Sequence, residues 1–103
     1  MSSHEDQPRI QIQVPEALQA GAYANGAMVR HTPYEFTLDF FSTQPPTPDA
    51  PNVVQCLVTA RVKIPPTVVF DLLRAVNENM TKYESQFGEI PRVRQVQPPP
   101  DPQ

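Results

Sequence analysis

The stretch Asn52-Val-Val-Gln-Cys-Leu-Val-Thr-Ala-Arg-Val-Lys-Ile64, followed by Pro65-Pro66, decides the fold. Val54, Cys56, Val58, Ala60, Val62 and Ile64 share one parity; Gln55, Thr59, Arg61 and Lys63 share the other. Side chains alternate between the two sides of a strand, so this spacing predicts one long strand with an apolar face. Leu57 falls on the otherwise polar side. Proline has no backbone N–H to donate and fixes φ, so Pro65-Pro66 ends the strand, and Pro66 suits the first turn of a helix.

Downstream, Val69, Leu72, Leu73, Val76, Met80, Tyr83 and Phe87 recur at helical spacing and predict an amphipathic helix from about Thr67 to Phe87. Gly88 supplies the residue after its last turn, and Pro91 prevents a restart. Such a helix is roughly 30 Å long. Upstream, Arg9-Ile-Gln-Ile-Gln-Val14 alternates strictly and predicts a half-buried strand ended by Pro15. Ala22–Arg30 reads as a second strand, and His31-Thr-Pro-Tyr34 as a turn. Glu35–Thr43 reads as a third strand, with Phe36, Leu38 and Phe40 inward and Glu35, Thr37 and Asp39 outward. Phe41 breaks that pattern by placing an aromatic on the polar face. The two runs around the turn predict an antiparallel hairpin.

These elements predict an α+β fold: an antiparallel sheet of about four strands with one long C-terminal helix packed on a face. Prolines cluster at Pro45–Pro51 and again from Pro91 to Pro102, where no sheet or helix interior tolerates them. The expected organisation is a flexible N-terminus over 1–8, a single α+β domain over 9–90 and a proline-rich flexible tail over 91–103.

Two stretches carry a resemblance. His31-Thr-Pro-Tyr-Glu-Phe-Thr-Leu-Asp-Phe40 and Asn77-Glu-Asn-Met-Thr-Lys-Tyr-Glu-Ser-Gln-Phe-Gly-Glu-Ile90 resemble the signature segments of a family of small prokaryotic proteins catalogued as a domain of unknown function. The resemblance runs from about Ile10 to Ile90. It implies no activity, substrate or cofactor. The proline-rich insert at Pro45–Pro51 and the Pro65-Pro66 pair depart from the family pattern.

The chain has 103 residues and a net charge of -3, with 8 basic and 11 acidic residues. That length allows one small domain and excludes the large nucleotide-binding and barrel folds. The negative balance lacks the basic footprint of a nucleic-acid binder, and Phe36, Phe40 and Phe41 lie among acids rather than between basic residues. Arg61 and Lys63, with Arg9 and Arg30 near them, are the candidate basic strand face. No run reaches the length of a membrane span, and Met1–Pro8 lacks the apolar stretch of a secretory signal, so the expectation is a soluble cytoplasmic protein. The single cysteine, Cys56, cannot form an internal disulfide and reads as a small buried hydrophobe. With only His4 and His31 besides it, no zinc-ligand set exists, and no cofactor or metal is expected.

Glu35 and Asp39 lie four apart on one strand face, an arrangement that serves acid–base chemistry when the two environments differ and is plain solubilising charge when they do not. His31 reads as an exposed turn histidine. No nucleophile elbow, phosphate loop or metalloprotease motif is present, so no catalytic residues are assigned. Surplus apolar surface is the strongest feature. The helix stripe outruns the sheet, and Phe41 and Leu57 sit on the nominally polar side. The candidate interface residues are Phe41, Leu57, Val76, Met80, Tyr83 and Phe87, and the expected partner is a second copy in a homodimer. Within one chain the alternative cover is Ala17, Leu18 and Tyr23 folded back from the N-terminal side. A protein partner docked on the helix face or on the proline-rich tail is also compatible. The functional expectation is a non-enzymatic homo-oligomeric protein-interaction or scaffold module. The alternative is a client-binding chaperone, similar in outline to the bacterial export chaperone SecB.

Overall fold

The turn around Pro33 joins Gly26–His31 to the aromatic-rich run Phe36–Gln44 as a hairpin, and the rest of the sheet grows from that hairpin. The structure, a computed structural model, describes residues 7–92. Strand β1 spans Gly26–His31, β2 spans Phe36–Gln44 and β3 spans Gln55–Ile64. They form a three-stranded antiparallel sheet in the order β1-β2-β3. Thr32 closes the β1–β2 turn: its N–H donates to the Glu35 carbonyl at 2.9 Å, and its hydroxyl accepts from the Tyr34 and Glu35 amides at 3.2 Å each. After β3, a 3-10 turn at Pro66–Val68 leads into helix α1, Val69–Phe87. Pro66 occupies the first turn, where its missing N–H costs nothing. The helix ends at Gly88, whose φ of 97° suits only glycine and whose N–H donates to the Glu84 carbonyl at 3.1 Å.

The α+β class, the hairpin and the long C-terminal helix agree with the reading of the sequence. The strand count does not: three strands form, not about four. Among the described residues Arg9–Val14 pairs with no strand, and Ile10 and Ile12 stand 86% and 82% exposed. A period of two shows that a segment can be a strand, but a strand exists only where an edge accepts it. Of the expected flexible N-terminus over 1–8 and proline-rich tail over 91–103, residues 1–6 and 93–103 lie outside the described residues.

One irregularity reorganises the sheet. Phe40 faces Ala60 while the next residue, Phe41, faces Val58, so Thr59 is an extra residue in β3. Such a bulge inverts the alternation beyond it. Ala60, Val62 and Ile64 therefore join Phe36, Leu38 and Phe40 on one face, with Ala27 and Val29 from β1. Cys56 and Val58 cross to the opposite face beside Asp39 and Phe41. Leu57 moves onto the apolar face, across from Ser42. The single six-residue apolar register expected for this strand is thus split in two, because parity counting cannot see an inserted residue. Cys56, expected to be buried, is exposed in the chain.

The chain entering β1 crosses toward β3. The Thr59 hydroxyl donates to the Tyr23 carbonyl at 2.8 Å and to the Phe40 carbonyl at 3.3 Å, and the Asn25 amide donates to the Phe41 carbonyl at 2.9 Å. Asn25 Oδ1 accepts from the Thr43 amide at 3.0 Å. Beneath this crossing lies Phe41, 6% exposed and the only buried apolar side chain among the described residues. Its ring occupies the space a side chain at Gly26 would need.

The sequence predicts that helix α1 packs on the sheet. None of its residues is buried in this chain, and its extensive contacts are with the 3-10 turn that leads into it. The apolar sheet face and the apolar helix stripe therefore both stand open. Ala17, Leu18 and Tyr23 cover neither, being themselves exposed or half-exposed.

Candidate functional site

Two features carry chemistry: a charged cluster on one sheet face, and the apolar surface formed by the other face and the helix. At the centre of the first is Asp39, on the central strand and 1% exposed. Register places Arg61 directly across on β3 and Arg30 on the diagonal of β1. Arg61 donates through Nε to Oδ1 at 2.6 Å and through Nη2 to Oδ2 at 2.9 Å, a two-pronged pair that matches the fork of a guanidinium. Arg30 Nη2 donates to Oδ2 at 3.2 Å. The Arg61 hydrogen bond above all, reinforced by the charges of Arg61 and Arg30, holds the Asp39 carboxyl below its ordinary range against the opposing effect of desolvation. The same pair raises Arg61.

Asp39 is thus not the solvated surface charge that its outward position suggests. It is a neutralised hub that ties three strands together. Glu35, the second candidate carboxylate, accepts from Lys63 Nζ at 3.1 Å in a more exposed pair. The basic strand face therefore exists, with Arg30, Arg61 and Lys63 on one side of the sheet, but its cations are taken up by Asp39 and Glu35. Arg9 is not part of it. Both carboxylates are engaged with cations, and an ionised Asp39 has no proton to donate near neutrality. His31 is exposed and stacks on Phe36, with ring centroids 5.6 Å apart.

The apolar surface has a different origin. Val29, Leu57 and Val62 on the sheet face are each roughly half-exposed, with Leu57 at 60%. On the helix, Leu73, Val76, Met80, Tyr83 and Phe87 are all exposed, and the Tyr83 and Phe87 rings pack at 5.1 Å between centroids. Of the six residues singled out in the sequence, Leu57, Val76, Met80, Tyr83 and Phe87 are open to solvent in the chain. Phe41 is not: it is buried in its own chain under the Tyr23–Gly26 crossing. The sheet sets Leu57 across from Ser42, on the same face as the Leu38–Val62 pair but separated from it by Phe40 and Ala60, while the four helix residues stand on a separate element. The Arg30–Asp39–Arg61 cluster escaped sequence reasoning because it depends on three strands in one register. Its nearest signal is the hairpin itself, since Arg30 lies two residues before the Thr32–Glu35 turn and Asp39 four residues after it, which sets them on one face as a diagonal pair.

Among the described residues, no group of three His, Cys, Asp or Glu side chains is placed to hold a metal ion, and no helix is long and apolar enough to cross a membrane. No curated protein and no solved structure matches the chain. A family model described as "Protein of unknown function (DUF3467)" matches residues 1–92, spanning the hairpin, the charged cluster and the helix, and the chain belongs to that family.

Proposed function

We propose that this protein is a non-catalytic, homo-oligomeric interaction module of the cytoplasm, in which a second copy covers the apolar sheet face and the helix stripe. One observation carries the reading: among the described residues, Phe41 is the only apolar side chain buried within a single chain. Ordering each backbone residue costs about 1–2 kcal/mol, and one buried phenylalanine cannot offset that over a domain. Hydrophobic burial must come from elsewhere, and a twofold assembly doubles each open surface into a complementary pair. The engagement of Asp39 and Glu35 by cations supports the non-catalytic part of the reading.

Sedimentation at micromolar concentration tests it. The expected result is a dimer or a larger closed assembly, with Met80→Asp or Phe87→Asp shifting it toward monomer. A compact wild-type monomer indifferent to both substitutions overturns the proposal. The breadth of the open sheet face also favours a second reading, a client-binding chaperone. That reading predicts calorimetric binding to several unfolded chains, and it fails if none binds.

A further inference from the structure

Arg9–Val14 is a strand without a sheet. Its alternation is strict, with Ile10, Ile12 and Val14 on one side and Arg9, Gln11 and Gln13 on the other. Yet it pairs with nothing among the described residues of its own chain, and the three apolar side chains are exposed. An isolated strand in water leaves its backbone without protein partners and its apolar side wet, so the pattern needs an edge to join.

The sheet offers two outer edges of unequal quality. The β3 edge is interrupted by the bulge at Thr59, carries Lys63 and runs into Pro65-Pro66. Bulges, lysines and prolines are the devices that discourage strand addition. The β1 edge, Gly26–His31, is regular: six residues paired to β2 without a break, and no proline or lysine. Arg9–Val14 is also six residues long. Laid along β1, it would set Ile10, Ile12 and Val14 beside Ala27 and Val29 and extend the apolar face by one strand. The bond from Thr59 to the Tyr23 carbonyl draws the chain just before β1 toward β3, away from its own β1 edge.

We propose that Arg9–Val14 adds as a fourth strand to the β1 edge of a second copy of this chain, and that the exchange is reciprocal. The proposal rests on the homo-oligomeric reading and specifies one contact within it. Backbone hydrogen bonds give the docking its affinity and the isoleucines its register.

Hydrogen exchange and sedimentation on the full chain test it together. In the wild-type assembly, amides within Arg9–Val14 are expected to exchange at least about tenfold more slowly than in an unstructured peptide, and to lose that protection in the monomeric Met80→Asp variant. Ile10→Asp with Ile12→Asp is expected to raise the dissociation constant about tenfold or more, while Gln11→Ala with Gln13→Ala, on the opposite side, leaves it within about twofold. An assembly whose arm exchanges at peptide rates overturns the arm proposal and leaves the homo-oligomer standing. Protection that persists in the monomeric variant also overturns it, because the arm then pairs within its own chain. A wild-type monomer overturns both readings.

Discussion

Gly26 and Phe41 face each other across β1 and β2, and the Phe41 ring lies where any side chain at Gly26 would stand. The glycine is required here by space rather than by backbone angle. A strand glycine that leaves room for a neighbouring aromatic is a known means of sealing a weak edge position. Here it permits the burial of Phe41, the one buried apolar side chain among the described residues.

Replacing Gly26 by valine forces that ring to move and is expected to destabilise the fold by about 1–3 kcal/mol in urea unfolding. Phe41→Ala is expected to cost about 3 kcal/mol. The two changes share one space, so Gly26→Ala in the Phe41→Ala background is expected to cost less than Gly26→Ala alone. A double-mutant cycle reads this coupling directly.

The Asp39 cluster makes stability depend on pH in one direction. The carboxyl is held below its ordinary value of 3.8 in the folded chain. Its contribution is therefore complete above that value and is lost as the pH falls through the lower folded value. Unfolding midpoints measured from pH 7 down to 2.5 are expected to hold steady above about pH 4 and to drop below it. In Asp39→Asn the drop is smaller and the neutral-pH stability lower, because two arginines lose their shared carboxylate.

Thr59 links the bulge to the chain that enters β1. Thr59→Val keeps the shape and removes the hydroxyl that donates to the Tyr23 and Phe40 carbonyls. The expected loss is about 1 kcal/mol, the usual net worth of such a hydrogen bond. Hydrogen exchange is expected to quicken at Asn25, whose backbone N–H donates to the Phe41 carbonyl within the same crossing.

Gly88 ends the helix with a φ of 97° and a ψ of 177°, a backbone region open almost solely to glycine. Gly88→Ala is expected to cost about 1–3 kcal/mol and to fray the last turn around Phe87. The readout is a lower thermal midpoint together with reduced circular dichroism at 222 nm.

The hairpin, the long third strand, the helix and its glycine stop were legible in the chain because each is a local property: alternation, 3.6-residue spacing, and the positions of proline and glycine. So was the surplus of apolar residues for so short a domain. Three things were decided only in three dimensions. The Thr59 bulge exchanged the faces of Leu57, Val58 and Cys56, because one extra residue reverses every side chain beyond it. The pairing of Asp39 with Arg30 and Arg61 needed two strand registers to agree at once. The standing apart of Arg9–Val14 and of α1 needed the placement of edges and faces, since periodicity states which side of an element seeks cover but never names the surface that provides it.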